Sequence, residues 1–344
     1  MIPILYLRGQ TIFIGSGVGP LADTISCECT EKLNDIYELT LKLPANSIYA
    51  NVINYDCIIK VKPNHEDRPQ PFRIYDIEKN YDGYINIKAA HISYDTAGIP
   101  IMPFEATNLD DAIDNLNTNR KLLSDSNFVL NSDFSKEGTL KVEKPSSFRS
   151  LLGGSKDSIQ SVYGGEYYYD NYTINLLEHR GKDKGVCFRY GKSISDFQQT
   201  TNTENVYTAV MGFWKKNDTI IYGDIIETES DFPYDKIYIL DTSSKIETQG
   251  NANATVDQIN SYVEKYIVEN VVGLPEKKMR IDYTDTGITK ICVGDTVGVL
   301  YPDYNISAVA RCNTVVFDCL EERNKSIEIG VEDKDLADTI SGMI

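Results

Sequence analysis

The three histidines are the first residues whose chemistry could serve catalysis, because a neutral imidazole takes up and releases protons near pH 7. His65, His91 and His179 lie far apart in the chain, and none belongs to the His-Glu-x-x-His pattern of zinc proteases. The Gly-x-Ser-x-Gly elbow of serine hydrolases is also absent. A Ser/His/Asp or Cys/His set would have to converge in space, which the sequence leaves open.

Two closely spaced cysteines, Cys27 and Cys29, are the next candidates. Alternate residues of a strand share one face, but two thiolates do not complete a tetrahedral zinc site. The seven cysteines are scattered and odd in number, which favours reduced, structural thiols over a disulfide framework. They are Cys27, Cys29, Cys57, Cys187, Cys292, Cys312 and Cys319.

Two glycine-containing segments resemble nucleotide-binding loops only superficially. Residues 15–19 (GSGVG) follow a strand-like stretch, but Pro20 stands where the third glycine of a dinucleotide motif belongs, and no crossover helix follows. The Gly191-Lys192-Ser193 triplet would need a glycine at Val186 to end a phosphate-binding loop. We therefore predict a loop at residues 15–19 and a hairpin turn at residues 191–193.

A group of tyrosines between residues 163 and 172 could stack on sugars, line a protein interface or simply pack in strands. Its members are Tyr163, Tyr167, Tyr168, Tyr169 and Tyr172. Strand packing or an interface is favoured. No Asp-x-Asp-x-Asp-Gly calcium loop is present. These patterns assign no catalytic, cofactor-binding or metal-ligating residue, so we predict a protein that is not an enzyme and has no cofactor.

The elements that would position these residues are mostly strands. In the first hundred residues, alternating apolar and polar side chains predict strands at 37–43, 57–62, 72–77 and 84–89. Asp82-Gly83 predicts a hairpin turn between the last two. Short strands separated by turns are typical of a small barrel or sandwich.

A mixed α and β segment follows a boundary predicted at Pro100 and Pro103. Asn108 is a candidate N-cap for a helix at 108–116 with acidic residues in its first turn. Shorter helical pieces are predicted around 147–152 and 156–162, before strands at 166–169, 172–177 and 186–190.

One longer helix is predicted at residues 255–272, with Thr255 as its cap candidate. Its apolar stripe consists of Val256, Ile259, Val263, Tyr266 and Ile267. Strands are predicted again at 279–283, 296–300, 308–311 and 326–329.

The composition is that of a folded protein with several domains. The chain has 344 residues, with 34 Lys and Arg against 51 Asp and Glu, a net charge of −17. This charge argues against sequence-specific nucleic-acid binding, and no apolar run approaches the ~18 residues of a membrane-spanning helix. The N-terminus lacks the layout of a signal peptide, so we expect synthesis in the bacterial host cytoplasm.

Five segments occur in the order found in a known family. They are 31–40 (EKLNDIYELT), 70–74 (QPFRI), 89–95 (AAHISYD), the block 164–192 containing GGEY, DNYTI, RGKD and RYGK, and 293–297 (VGDTV). In this order they resemble the phage tail-associated proteins, also called prophage endopeptidase tail or minor structural proteins. Asp35 departs from the pattern, since a glycine is usual there.

The resemblance implies a β-rich α+β fold with two small antiparallel β-barrels, an α+β domain and a small inserted domain. The predicted bounds are 1–97 for the first barrel, 98–185 for the α+β domain, 186–225 with 279–335 for the second barrel, 226–278 for the inserted domain that carries the helix at 255–272, and 336–344 for a C-terminal tail.

The implied function is that of a virion structural protein of a phage or prophage tail tip, similar to the baseplate hub of contractile-tailed phages. A homotrimer would close the tail tube below the distal tail protein and let DNA pass into a Gram-positive host. The tape-measure protein and a tail fibre or receptor-binding protein are further implied partners. Family members named endopeptidases usually carry a C-terminal extension, and this sequence ends at Ile344.

Two alternatives remain open at this stage. The tyrosine group could make the chain a module that binds host cell-wall glycans, and the family name leaves a remnant peptidoglycan endopeptidase. The acidic balance also has two interpretations: carboxylates displayed in the bore of a trimer would repel DNA phosphates, or the charge would only keep the subunit soluble.

Overall fold

The computed structural model describes residues 1–123, 126–155, 157–189, 194–204, 206–243, 245–246, 253–270, 272–283, 290–301 and 306–331. The chain divides into two compact units. Unit 1 comprises Met1–Gln198 and Arg280–Gly330, and unit 2 is built on Gln199–Met279. We describe each unit separately.

Strands are the main regular element of the chain. In the first half they are β1 (Ile4–Tyr6), β2 (Gly19–Pro20), β3 (Ser26–Lys32), β4 (Tyr37–Pro44), β5 (Ile58–Val61), β6 (Gln70–Lys79), β7 (Tyr84–His91), β8 (Pro100–Ile101), β9 (Phe104–Asn108), β10 (Val129–Ser132), β11 (Glu137–Val142), β12 (Ser146–Ser147), β13 (Glu166–Asp170) and β14 (Thr173–Leu177). In the second half they are β15 (Asp183–Arg189), β16 (Ile194–Asn202), β17 (Ala209–Lys216), β18 (Thr219–Glu227), β19 (Ile237–Asp241), β20 (Glu276–Tyr283), β21 (Thr296–Tyr301), β22 (Ile306–Asp318) and β23 (Arg323–Val331).

The described part of the chain has few helices, and each α-helix begins after a capping residue. They are α1 (Leu109–Thr118), α2 (Phe148–Leu152), α3 (Ile159–Tyr163) and α4 (Val256–Glu269), with a 3₁₀ helix at Ile92–Gly98. Asn108, Ser147, Ser158 and Thr255 each accept a hydrogen bond from a backbone amide of the first turn. The predicted cap residues Asn108 and Thr255 are therefore confirmed.

The large sheet of unit 1 joins the N-terminal and C-terminal strands. Its path runs β23-β22-β3-β4-β7-β6-β5-β1-β2, with β21 on β22 and β15 on β21. β3 pairs antiparallel with β22, placing Glu31 opposite Val315 and Cys29 opposite Phe317. The β-rich α+β class is confirmed. Strands predicted for the two barrels share this sheet, and the two-barrel division and the domain bounds stay predictions.

The hairpin between β6 and β7 forms where the sequence indicates. The Gly83 amide donates to Asn80 O at 3.3 Å, and Gly83 has a φ of +81°, which glycine adopts without strain. β6 then aligns with β7, with Phe72 opposite His91. This pairing places His91 inside unit 1.

The α+β segment of unit 1 has its own apolar core. α1 packs Leu109 and Leu116 inward, and Phe148, Ile159 and Ile174 fill the same cluster. Three small sheets surround it: β10-β14-β13, β11-β9 and β12-β8. This arrangement fixes β13, which carries three of the tyrosines and supplies Glu166.

Unit 2 packs α4 on the sheet β18-β17-β19. Ile259 and Val263 of the predicted stripe are fully buried, whereas Val256, the first helical residue, is 40% exposed and lies outside the core. A Cβ on Gly212 would lie 2.6 Å from Val263 Cγ2, so glycine is required for the helix to approach this closely. α4 ends at Glu269, earlier than the predicted residue 272.

Among the helices that the structure describes, none has the length and apolarity to cross a membrane.

Candidate functional site

A buried arginine is the centre of the main cluster of charged side chains. Arg180 Nη1 lies 2.8 Å from Glu31 Oε1, and the two side chains are 7% and 6% exposed. The same nitrogen donates to Tyr167 O at 2.9 Å. Burial opposes the charge of Arg180, but the attraction of Glu31 outweighs it and raises the pKa of Arg180. This ion pair connects β3 to the segment after β14.

A second carboxylate, Asp67, faces the same arginine. Burial, reinforced by the nearby Glu31 carboxylate, raises the pKa of Asp67 to about 6. The Tyr168 hydroxyl donates to Asp67 Oδ1 at 3.2 Å, and Asn64 Nδ2 donates to Oδ2 at 2.8 Å. Arg180 pairs with Glu31 and attracts Asp67 electrostatically, so this group of three holds an excess negative charge when both carboxylates are ionised.

A bidentate pair continues the network from β13 to β22. Arg311 Nη1 and Nη2 lie 2.5 Å and 2.8 Å from the two carboxylate oxygens of Glu166. Arg311 Nη2 also donates to Arg180 O at 2.9 Å, and the Arg180 amide donates to Glu166 Oε2 at 2.6 Å. The two ion pairs, Glu31–Arg180 and Glu166–Arg311, therefore tie the large sheet to the α+β segment.

His91 is buried in a closed environment. Its Nδ1 accepts from the Ser93 amide at 3.2 Å, so Nε2 carries the proton and donates to Gln70 Oε1 at 3.3 Å. The ring stacks on Tyr37 at 4.6 Å. Burial lowers the pKa of His91 to about 3. A neutral, fully hydrogen-bonded imidazole without access to water has a structural role.

The other two histidines lie elsewhere. The His65 ring contacts Phe317 edge-on at 5.0 Å, and His179 is exposed, with Nδ1 3.9 Å from Glu166 Oε1. The structure does not bring the three histidines together. Within the described ranges, no group of three or more His, Cys, Asp or Glu side chains has the geometry to hold a metal ion.

The cysteines behave as small apolar side chains. All seven are free, and all except Cys187 are buried. Burial raises the pKa of Cys292 to about 12 and holds those of Cys27 and Cys29 well above the usual value. A thiol that stays protonated is a weak nucleophile and metal ligand, so the structural interpretation of Cys27 and Cys29 holds.

The predicted glycine loop at residues 15–19 is confirmed as a loop that enters β2. Gly15 and Gly17 have positive φ values of +74° and +55°. No crossover helix follows in the described chain, because the next elements are β3 and β4. Gly191, Lys192 and Ser193 lie outside the described residues.

The tyrosine group packs within unit 1. The Tyr163 hydroxyl donates to Gly138 O at 3.0 Å, and the Tyr167 hydroxyl donates to Leu152 O at 2.8 Å. Each of these two tyrosines therefore buries its ring and satisfies its hydroxyl, as a core tyrosine should.

The remaining tyrosines extend the same packing. Tyr169 stacks on Tyr167 at 6.1 Å and tilts against His91 at 5.8 Å. Tyr172 contacts Phe128 edge-on at 5.1 Å. The favoured interpretation, strand packing, accounts for the rings of Tyr169 and Tyr172.

The charge cluster was not identified from the sequence. Glu31 and Arg180 were noticed only as parts of segments that resemble the tail-associated family. An inward position in β3 marks Glu31 as a buried carboxylate, and such a residue requires a partner. A buried carboxylate therefore predicts an ion pair, but it does not identify Arg180 as the partner.

The fold of the chain matches solved structures of tail proteins. The prophage tail protein gp18 from Listeria monocytogenes EGD-e has a TM-score of 0.62 at 13% identity, covering 100% of this chain and 98% of that one. The tail protein from Neisseria meningitidis MC58 has 0.62 at 8% identity, covering 96% of each chain. The 43 kDa tail protein of prophage MuSo2 from Shewanella oneidensis has 0.61 at 10% identity, covering 96% and 98%.

No protein-family model matches the sequence, and no curated protein matches it. The similarity is therefore one of fold, at sequence identities of 8–13%. The chain has the fold of phage and prophage tail proteins, and the resemblance seen in its five ordered segments is confirmed at this level.

Proposed function

We propose that the chain is a structural component of a phage or prophage tail tip. The observation that carries the proposal is the extent of the shared fold: the three tail proteins match 96–100% of this chain, each with a TM-score above 0.6. A match of this extent includes both compact units, so it is not limited to one widespread small fold. The proposed location is the tail of the virion.

The finer proposal is a trimeric hub. Three copies would form a ring below the distal tail protein, closing the tail tube until DNA passes. The tape-measure protein and a fibre or receptor-binding protein would be neighbours. The pairing of β3 with β22 supports this role, because it holds the N-terminal and C-terminal strands of unit 1 in one sheet.

In this proposal the chain acts without catalysis. The charged groups around Arg180 are bound to one another, His91 is neutral and enclosed, and most thiols are buried. In this proposal these groups have structural roles. The glycan-binding alternative is weakened, since four of the five tyrosines that suggested it pack in or against the core of unit 1.

Labelling of phage particles tests the location. Particles carrying this protein would be incubated with antibody fragments against unit 2, coupled to gold, and imaged by negative stain. We expect gold at the distal end of the tail. Purified particles that contain the protein in the head, or that lack it although infectious, would contradict the proposal. A tail-sheath antibody serves as the control for access to the tail.

A further inference from the structure

The loop between β1 and β2, residues 7–18, presents two isoleucines to solvent. Ile12 is 69% exposed and Ile14 is 82% exposed, whereas Phe13 between them is 6% exposed. Isolated exposed apolar residues are ordinary, but two large ones on a short loop concentrate apolar surface at one place. Leu7 and Val18 at the base of the loop are also exposed.

The loop is held in this conformation by its central residue. The Phe13 ring contacts Tyr6 edge-on at 5.6 Å and stacks on Tyr172 at 6.1 Å. Lys60 Nζ donates to Phe13 O at 2.7 Å, and the Tyr6 hydroxyl donates to Gly15 O at 2.7 Å. The isoleucines are therefore displayed by an anchored loop.

The return of the loop is fixed as well. The Val18 amide donates to Leu5 O at 2.7 Å. Gly17 has a φ of +55°, and a Cβ at this position would collide with Leu5 O. A surface that is already ordered loses little conformational entropy when a partner covers it.

The charge around the loop indicates which partner fits. Arg8 is the only charged side chain among the first 22 residues, and all 51 acidic residues follow them. A copy of this chain is strongly acidic over the rest of its length. The N-terminal loop carries no acidic side chain, so it approaches an acidic second copy without carboxylate repulsion of its own, and Arg8 adds an attraction.

We propose that the loop at residues 7–18 is the surface through which one copy of the chain contacts the next. The loop would meet a different surface on its neighbour, so the contact is heterologous, and a heterologous contact forms a ring when its rotation closes. The inference rests on the proposed hub function for the number of copies in the ring. Ile12 and Ile14 supply the apolar contact, and Arg8 faces acidic side chains of the neighbour.

Charge-matched variants test this surface. The double variant Ile12→Asp with Ile14→Asp would be compared with Ile48→Asp with Tyr81→Asp, whose original side chains are also highly exposed in unit 1. Masses would be measured by sedimentation velocity over a concentration series, with circular dichroism to verify folding. We expect trimers for the wild type and the control, and monomers for the loop variant at the same concentrations.

Serine replacements at Ile12 and Ile14 provide a second pair that adds no charge, and we expect at least a 10-fold weaker association. An Arg8→Glu variant should also weaken association, and added salt should reduce its effect. A trimeric loop variant would overturn the inference while leaving the hub intact. A wild type that never self-associates would overturn the inference and contradict the trimeric hub together.

Discussion

At the residue scale, Arg180, Glu31 and Asp67 show how this chain buries charge. One guanidinium faces two carboxylates, and only Glu31 forms a close pair with it. The second carboxylate is stabilised in its protonated form, which is why the pKa of Asp67 rises to about 6. At neutral pH, Asp67 is ionised against both burial and the charge of Glu31, so it destabilises the folded state.

Asp67→Asn should therefore stabilise unit 1 at neutral pH. The folded pKa is about 6 and the ordinary value is 3.8, so the folded state binds more protons between these values and stability falls as pH rises through them. The shift corresponds to at most about 3 kcal/mol above pH 6. Urea unfolding followed by far-UV circular dichroism at pH 4, 6 and 8 measures the difference.

We expect the variant to gain stability over the wild type at pH 8 and to match it near pH 4. Asp76→Asn is the control, because Asp76 forms an exposed ion pair with Lys88 at 3.4 Å, which contributes little. A difference between wild type and Asp67→Asn that does not change with pH would refute the assignment.

Local residue chemistry was predictable, whereas distant pairing was not. Asn108 and Thr255 were identified as caps because a cap and its amide lie within three residues of each other. The Glu31–Arg180 pair joins segments far apart in the chain, and no local pattern specifies which buried carboxylate meets which arginine.

At the element scale, α4 shows how a short helix becomes stable in unit 2. Thr255 Oγ1 accepts from the Gln258 amide at 3.3 Å, and Gln258 Oε1 accepts from the Thr255 amide at 2.9 Å. This capping box satisfies both amides. Ile259 and Val263 then pack on the sheet at Gly212 and leave no room for a side chain there.

Thr255→Ala should destabilise unit 2 by about 1 kcal/mol, the usual effect of losing an N-cap. Trp214 is the only tryptophan of the chain and is buried in the core of unit 2, so its fluorescence during urea unfolding reports on this unit. Ser261→Ala, on the exposed part of the same helix, is the matched control, with no loss expected. Equal effects of the two substitutions would show that the capping box is not stabilising.

Element types followed from sequence pattern, but the sheet order did not. The hairpin of β6 and β7 was predictable because its turn and both strands are contiguous. The pairing of β3 with β22 brings together opposite ends of the chain, and alternation within each strand specifies a buried face without specifying its neighbour. For this reason, the pairing of β3 with β22 was not predicted from the sequence.

At the scale of the whole molecule, the net charge of −17 has a use in the proposed hub if the acidic side chains line its bore. Carboxylates facing the bore of a trimer would repel DNA phosphates and keep the passage from retaining DNA. The same charge opposes assembly of acidic subunits, which makes the anchored apolar loop at residues 7–18 the favourable place for contact between copies.

The measurement that tests the central claim most directly is the mass of the wild-type protein in solution by light scattering, combined with negative-stain images of the largest species. The hub proposal predicts three copies arranged in a closed ring with a central hole. A stable dimer with two-fold symmetry would contradict it. In such a dimer the same patch of both copies is buried, whereas a threefold ring needs contacts between two different patches.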